Sequence, residues 1–382
     1  MIQRTVAYAL VSGIAAFTCG ATALANPQIE AGYTADIFVN GGGGIHDGVR
    51  VADLFEVIAS KSWQAFGQEE GITFNLYAVH ANGGAPTGDL FGDDQTVSGI
   101  ETGFETTRVN EAWVQLAGAR ASFRAGLTQL NSEFDVLESA NFFVNASHGM
   151  GLDIAQSGEN GPIEFPFTGL AVRGDYAFTD NTKVRVILAD AVPGDLDDPR
   201  RVAIGFDDED GFLVVAEFER SGDWGKLLAG YWQYSEEFEA IGSPGLVDDG
   251  NAGGYVRGEV VVPTGGASGD LTIFGRLGLA DGEFNKYDHY ISGGLVRSGF
   301  WNARPDDAAG IAFTYGGVGD PAKRADDTLE DGELNIELSY AAQIAPRISL
   351  QPNIQYIINP AADSTIDDAL ALGVRLGVDL SF

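Results

Sequence analysis

The sequence contains one cysteine, Cys19, and beyond its N-terminal segment it has no apolar run of eighteen or more residues. A membrane-spanning helix needs about twenty consecutive, mostly apolar residues, so none is predicted in the body of the chain. Basic residues are scarce: 22 Lys and Arg against 55 Asp and Glu give a net charge of −33. Because phosphate binding needs a basic surface, this acidity argues against nucleic acid as a partner.

The N-terminal segment has the pattern of a secretory signal. Arg4 supplies a positive start, residues 6–21 are apolar or small, and Ala23-Leu24-Ala25 fits the A-x-A cleavage rule. The sequence therefore predicts a signal peptide over residues 1–25, and a mature chain without thiols. Cys19 leaves a lipoprotein signal open as an alternative, although residues 16–18 before it make a poor lipobox.

The last thirteen residues alternate strictly between large apolar side chains and small, polar or charged ones. The apolar members are Leu370, Leu372, Val374, Leu376, Val378, Leu380 and Phe382. Successive side chains of a strand point to opposite faces, so this is a strand with one continuous apolar face. About 9–11 tilted residues cross a bilayer as a strand, and apolar-out, polar-in alternation is typical of a transmembrane barrel. A half-buried strand of a soluble sandwich is the alternative.

The same alternation recurs along the chain and predicts sixteen strands. They lie near residues 31–39, 49–58, 71–80, 107–117, 120–127, 169–178, 182–190, 212–219, 226–235, 252–262, 270–279, 289–298, 309–316, 333–344, 347–358 and 369–382. The connections after the even-numbered strands are mostly short and the others mostly long, as in bacterial barrels with short periplasmic turns and long extracellular loops. The fold class is therefore all-β: a transmembrane antiparallel β-barrel over residues 26–382. Pro352 fits poorly, because a proline inside a strand usually marks an edge or a bulge.

The longest predicted connection covers about residues 128–168. A loop of this length without regular structure is unusual in a compact domain. In a barrel it has a use, because it can fold into the lumen and narrow the pore. We expect it to act as a constriction loop.

Four segments of the chain form a recognisable series. The first runs from Gly92-Asp93-Asp94-Gln95 to Trp113, and Asn131-Ser132-Glu133-Phe134 follows in the long loop. Asn145-Ala146-Ser147-His148-Gly149 lies further along that loop, and Leu350-Gln351-Pro352-Asn353-Ile354-Gln355-Tyr356 forms the penultimate strand. In this order the four segments resemble the carbohydrate-selective porins of the OprB family, and the resemblance covers roughly residues 30–382. It implies a sixteen-stranded outer-membrane barrel through which sugars diffuse passively, and it also accounts for the proline.

Strand alternation and the long loop together give a set of candidate pore and constriction residues. They are Glu111, Trp113, Arg124, Asn131, Glu133, Asp135, Asn145, His148, Arg173, Arg185, Arg257, Arg276 and Arg375. Arginine offers a planar fork of donors and stays charged, so arginines facing acidic loop residues predict a transverse field across a narrow aqueous pore. Sugar hydroxyls can exchange water for such groups at little net cost, and Trp113 could stack on a sugar face. The alternative is that these side chains are solvated by lumen water or pair with each other.

Other kinds of site find little support. Glu133, Asp135 and Asp153 could be carboxylates for glycoside hydrolysis, but nothing in the sequence fixes their separation, and a glycine-rich loop is a poor frame for catalysis. The four histidines lack metal-ligand spacing. We therefore predict no enzyme activity, no cofactor and no metal site.

The predicted function is passive, carbohydrate-selective diffusion through an outer-membrane porin. A general cation-preferring porin and an exported soluble β-rich binding protein are the alternatives. Expected partners are small sugars, outer-membrane lipid and lipopolysaccharide, and possible assembly as a homotrimer is left open. The C-terminal Phe382 resembles the signal by which outer-membrane barrels engage their assembly machinery.

Overall fold

A computed structural model of the protein describes residues 27–202, 204–205, 211–243, 245–264, 269–299, 301 and 303–381. The predicted signal peptide and Phe382 lie outside these residues. Among the described residues, no helix combines the length and the apolar character needed to cross a membrane.

The described residues form eighteen strands. The first nine are β1 (Gln28–Asn40), β2 (Val49–Ala65), β3 (Gln68–Asn82), β4 (Glu105–Ala117), β5 (Ala121–Thr128), β6 (Gly169–Thr179), β7 (Thr182–Asp190), β8 (Phe212–Gly222) and β9 (Gly225–Tyr234). The others are β10 (Glu237–Glu239), β11 (Val247–Asp249), β12 (Ala252–Val262), β13 (Leu271–Ala280), β14 (Tyr287–Ser298), β15 (Ala308–Val318), β16 (Gly332–Ala345), β17 (Ile348–Ile358) and β18 (Ala369–Asp379).

Sixteen of these strands close into one antiparallel barrel. Each pairs with its neighbours in the chain, β9 pairs with β12, and β1 pairs with β18, where Gly32 stands opposite Asp379 and Asn40 opposite Ala371. The remaining two strands, β10 and β11, form a separate hairpin in the connection between β9 and β12. Closure removes the unpaired edges that an open sheet exposes, and the predicted sixteen-strand barrel is confirmed.

Within the part of the chain that the structure describes, helical structure is confined to short turns in the connections. The α-helices are α1 (Leu152–Ala155) and α2 (Asp320–Ala325), and a π-helical turn covers Thr87–Phe91. Turns of 3-10 helix lie at Leu130–Ser132, Ala140–Phe142, Ala146–His148 and Pro360–Ala362. Three of these short elements and α1 belong to the long connection between β5 and β6, so that connection is folded rather than extended.

The two faces of the barrel wall differ as the alternation predicts. Large apolar side chains face outward and are exposed, for example Leu277 and Ile354. Polar side chains face inward and are buried, for example Glu337 on β16 and Gln355 on β17. Contiguous exposed apolar surface of this extent is unusual for a soluble protein, whereas it suits a wall that faces lipid.

Pro352 marks neither an edge nor a bulge. It faces outward within β17, opposite Val374 of β18. On its other side the register with β16 is the same before and after it, with Leu350 opposite Ala342 and Asn353 opposite Ser339. Because proline lacks only the N–H donor, the barrel absorbs it without a shift in register.

The connections divide between the two ends of the barrel. Those at one end, such as residues 66–67, 118–120, 180–181, 223–224 and 346–347, are short turns, and we call this the short-turn end. Those at the other end include residues 83–104, 129–168, 191–211 and 235–251, and we call this the long-loop end. In bacterial barrels the long connections face outside and the short ones face the periplasm.

Candidate functional site

The connection between β5 and β6, residues 129–168, fills a large part of the barrel interior. Its buried apolar side chains Leu130, Phe134, Met150, Ile154 and Ile163 pack against inward residues of β6 to β9 and β12. A second set from the same connection, which includes Leu137, Phe142 and Phe143, packs against β9, β13, β15 and β16. The connection thus folds inward, as expected, and it does so by burying apolar surface against much of the wall.

A second connection, residues 83–104, also folds inward and supports the first. Its Leu90, Phe91 and Val97 pack against inward residues of β1, β17 and β18, while Ile100 packs against β2 and β3. The two connections are joined by backbone hydrogen bonds, including Gly99 N to the Val144 carbonyl at 3.0 Å. The sequence does not predict this, since the alternation of short and long connections indicates only that a long extracellular loop follows the third strand.

Inward carboxylates of β16 tie both connections to the wall. Glu337 accepts hydrogen bonds from the backbone N–H groups of Val144 and Asn145 at 2.9 Å. Glu333 accepts from the backbone N–H groups of Asp94 at 2.8 Å and Gln95 at 3.0 Å. Sequence reasoning missed both residues as site residues. Their inward parity on β16 was the available signal, but nothing local indicates that loop backbone is their partner.

A water-accessible part of the charged lumen centres on Glu133. This loop carboxylate lies 2.5 Å from Arg173 Nη2 and 3.2 Å from Arg124 Nη1. Arg173 also contacts Asp175, and Arg124 donates to Gln115 Oε1 at 2.9 Å. The Glu133 and Asp175 side chains are 27% and 24% exposed, so water reaches this cluster.

The pKa of Glu133 shows which influence dominates in this cluster. Burial by itself would raise that pKa. The positive charges of Arg124 and Arg173 outweigh burial and lower the pKa of Glu133 to about 2. The carboxylate is therefore charged throughout the physiological range, and the cluster carries fixed charges of both signs.

Trp113 stands beside this cluster on β4. Its Nε1 donates to Glu111 Oε2 at 2.9 Å, and the Arg124 guanidinium lies over its ring, 3.7 Å from the ring centroid. Arg124 therefore covers one face of the indole, and the expected sugar stacking cannot use that face. The same contact holds the guanidinium close to the lumen wall, as cation–π attraction favours.

Arg185 extends the charged wall onto β7 and β8. Its Nη2 lies 2.7 Å from Glu219 Oε2 and its Nη1 3.6 Å from Glu217 Oε1. Lys183 Nζ also approaches Glu219, at 3.3 Å. Arginine and carboxylate thus alternate around this side of the lumen, and each of these cations has a carboxylate partner.

Asp135, a residue of the same loop, lies in a different environment and is fully buried. Its carboxylate contacts Arg276 Nε at 2.8 Å and Arg257 Nη1 at 3.1 Å, and Arg276 Nη1 also contacts Asp153 at 2.6 Å. All four side chains are no more than 1% exposed. A fully buried ion network of this kind anchors the loop and offers nothing to a solute in the pore.

Three of the four remaining candidates are also buried. The His148 ring packs against Phe143 at a tilt, with centroids 4.7 Å apart, and burial, with a smaller contribution from Arg257, lowers the His148 pKa to about 3. The Asn145 side chain caps the turn at Ala146–His148 by accepting from Ser147 N at 3.0 Å. Arg375 pairs with Asp36 at 2.7 Å. Asn131 is partly exposed.

The structure therefore divides the thirteen candidates into two groups. Glu111, Trp113, Arg124, Asn131, Glu133, Arg173 and Arg185 lie at or beside the accessible cluster, whereas Asp135, Asn145, His148, Arg257, Arg276 and Arg375 form buried anchors. The expected opposition of loop residues and lumen arginines takes another form at Asp135 and His148. The apolar packing of the loop turns both residues toward Arg257, and neither faces Arg124, Arg173 or Arg185. The carboxylates considered for hydrolysis are all held by arginines. Within the described ranges, no group of three or more His, Cys, Asp or Glu residues could hold a metal ion.

Comparisons with known proteins agree with this architecture. The profile of the family described as "Carbohydrate-selective porin, OprB family" matches residues 46–380. Porin B of Pseudomonas aeruginosa is 30% identical over 135 residues, which are 31% of this chain and 30% of that protein. The putative porin QuiX of Acinetobacter baylyi is 44% identical over 48 residues, which are 13% of this chain and 11% of that protein. The chain thus spans less than a third of the curated relatives that it matches.

Two solved structures show the same fold across nearly the whole chain. The high-pH structure of Pseudomonas putida OprB has a TM-score of 0.82 at 19% identity, covering 93% of this chain and 94% of the other. A mutant of the Rh. blastica porin has a TM-score of 0.54 at 12% identity and covers 93% of this chain and 100% of the other. With a closed sixteen-strand barrel, two inward-folded loops and a family profile over most of its length, the chain belongs to the carbohydrate-selective porin, OprB family.

Proposed function

We propose that this protein is an outer-membrane channel through which sugars diffuse passively, selected at the cluster around Glu133. The family and the fold are those of a channel, and an outer-membrane location follows from membership of the family. The observation that supports selection is the Glu133 bridge to Arg124 and Arg173, where a loop carboxylate and two wall arginines meet at a place that water reaches.

This arrangement suits polyhydroxylated solutes. A sugar must give up water in a narrow passage, and it loses little if fixed donors and acceptors replace that water. Around Glu133 the wall offers guanidinium donors from Arg124 and Arg173 and acceptors from Gln115 and Asp175. An apolar solute of equal size gains nothing from these groups and would have to desolvate them.

The export and assembly features belong to the same proposal. The signal over residues 1–25 would direct the chain across the inner membrane, with Phe382 presented to the assembly machinery. Lipopolysaccharide and outer-membrane lipid would contact the apolar outer wall, and trimer formation is a further part of the proposal. Cross-linking of the purified barrel in detergent would test the trimer.

The test of selectivity is swelling of liposomes that contain the purified protein. Hexoses should enter faster than amino acids or salts of similar size. The double variant Arg124→Gln and Glu133→Gln should keep the barrel and its total flux but lose most of the preference for sugars. Glu138→Gln, an exposed position on the same loop, is the matched control and should behave like wild type.

A general cation-preferring porin is the competing function, and the acidity of the chain favours it. Uptake rates of solutes of similar size distinguish the two functions. A general porin would pass a hexose and a small neutral amino acid derivative at rates set by their radii alone. Equal, size-ordered rates in the wild-type protein would overturn the selective channel.

A further inference from the structure

The two ends of the barrel differ in charge. The connections at the long-loop end contain many Asp and Glu residues, among which Asp47, Glu237, Asp327, Glu330 and Asp367 are exposed. Few basic residues stand against them, and two of these already pair with carboxylates: Lys286 contacts Asp94 at 2.7 Å and Lys323 contacts Asp331 at 3.0 Å. The turns at the short-turn end carry few charges of either sign, so the excess negative charge is concentrated at one mouth.

Most arginines inside the lumen do not offset this charge, because they already pair with carboxylates. Arg124 and Arg173 share Glu133, Arg185 contacts Glu219, and Arg375 contacts Asp36. Arg257 and Arg276 are buried against the Asp135 carboxylate. Arg108 is buried on β4 and donates to the backbone carbonyls of Pro199 and Arg201. To pair with any of the six carboxylate-bound arginines, a passing anion would have to break an existing ion pair.

A charged mouth on a low-dielectric wall acts on ions at a distance. Clefts lined by one sign of charge focus field lines and change the local concentration of charged solutes by factors of about 10 to 10³. Here the wall is apolar on its outer face, which suits a lipid surround and confines the field to the aqueous opening. The effect depends on the summed field of many carboxylates and requires no binding site at any one of them.

We propose that the channel sorts sugars by charge at its long-loop mouth: neutral and cationic amino sugars pass, and sugar acids are excluded. This inference rests on the proposed sugar-channel function. The Glu133 cluster, where positive and negative charges balance, would discriminate between solutes by size and hydrogen bonding. The long-loop mouth discriminates earlier, by the sign of the charge on the sugar.

The experiment measures uptake of labelled glucose, glucosamine and glucuronate into proteoliposomes. These hexoses have similar size and differ mainly in one charged group. At about 10 mM ionic strength, where the Debye length is about 30 Å, glucuronate should enter about tenfold more slowly than glucose, and glucosamine at least as fast as glucose. At about 1 M, where the Debye length is about 3 Å, the three rates should agree within about twofold.

Variants locate the effect. The quadruple variant Asp47→Asn, Glu237→Gln, Asp327→Asn and Glu330→Gln should raise glucuronate uptake several-fold at low salt and leave glucose uptake unchanged. The matched control neutralises acidic residues in exposed turns at the opposite end, Asp180→Asn with Asp223→Asn, and should change neither rate.

The outcomes separate the two proposals. If glucuronate entered as fast as glucose at low salt, the charge inference would be overturned and the sugar channel would stand. If the quadruple variant left a slow glucuronate rate unchanged, the mouth would not be where discrimination occurs. Failure of glucose itself to enter faster than amino acids of its size would overturn the proposed function.

Discussion

Asp135 pairs with two buried arginines and so anchors the long loop to the barrel wall. It is 1% exposed, contacts both Arg257 and Arg276, and has a backbone φ of 56°. Asparagine tolerates this left-handed conformation well, so Asp135→Asn removes the charge without straining the backbone. Removing one partner of a buried ion pair costs on the order of 3–5 kcal/mol. We expect a loss of about 3 kcal/mol, because Arg276 keeps Asp153, measured by denaturant unfolding.

The same substitution should loosen the loop while the barrel remains closed. Single-channel recordings should therefore show higher and noisier conductance for Asp135→Asn than for wild type. Glu138→Gln lies three residues further along the loop but is exposed, and it serves as the control. An Asp135→Asn protein as stable and as quiet as wild type would show that the buried network does not anchor the loop.

Glu133 makes a prediction about pH. Its pKa of about 2 lies below the ordinary value of about 4.3 for a glutamate. A lowered pKa means that the stabilisation is fully present above the ordinary value and is lost as pH falls through the lowered one. The conductance difference between wild type and Glu133→Gln should therefore stay constant from pH 8 to about pH 5. It should shrink only as pH falls toward 2, and a midpoint near pH 4 would contradict the pairing with Arg124 and Arg173.

At the level of single residues, strand parity predicted which side chains point inward but not which of them meet water. Arg124 and Arg276 look alike in the sequence, since each lies on a lumen face with acidic partners in the long loop. They differ in how the long loop covers them. Arg276 is buried beneath the part of the loop that carries Asp135, whereas Arg124 lies beside the part of the lumen that water reaches. That difference comes from the apolar packing of Phe134, Phe142 and Phe143, which joins residues far apart in the chain.

Among the elements, β18 offers the sharpest test of the lipid-facing wall. Its centre is Val374, which faces outward and is 37% exposed, whereas Leu376 lies nearer the short-turn end and pairs with Leu350. Arginine at the bilayer midplane of a barrel costs about 2–4 kcal/mol, falling to about 0–1 near the interfaces. Val374→Arg should therefore destabilise more than Leu376→Arg in detergent–lipid unfolding experiments.

Ser349→Arg on β17 supplies the lumen-facing control. Ser349 stands opposite Gly377 and is only partly buried, so a longer polar side chain can reach water inside the barrel. It should be tolerated better than either outward substitution. Equal damage from Ser349→Arg and Val374→Arg would mean that the alternation does not separate lumen from lipid.

The strands could be predicted far better than the loops, and the physical reason is the range of the interactions. A strand is recognised in the sequence by a two-residue period of apolar side chains and by an adjacent turn, and both features are local. The inward fold of residues 83–104 depends instead on Leu90, Phe91, Val97 and Ile100 finding apolar patches on strands at both ends of the chain. The apolar loop residues are visible in the sequence and indicate burial, but the sequence does not indicate which strands they pack against.

The whole molecule combines a symmetrical wall with an asymmetrical charge distribution. The number of strands and the alternation of short and long connections follow from local patterns, so the closed barrel was predictable. The net charge was predictable as well, but no local pattern in the sequence indicates where in the molecule that charge lies. The uneven distribution arises because the antiparallel order of the strands places the acidic connections at the same end of the barrel.

This asymmetry predicts a rectifying channel. In a planar bilayer at low salt, cations accumulate at the acidic long-loop mouth and not at the short-turn end, so the two voltage polarities should draw unequal currents. The inequality should be largest near 10 mM potassium chloride and disappear at about 1 M, where the Debye length falls to about 3 Å. Neutralising Asp47, Glu237, Asp327 and Glu330 should reduce it, while neutralising Asp180 and Asp223 should not. Symmetrical currents at low salt would show that the field of the mouth does not reach the conducting path.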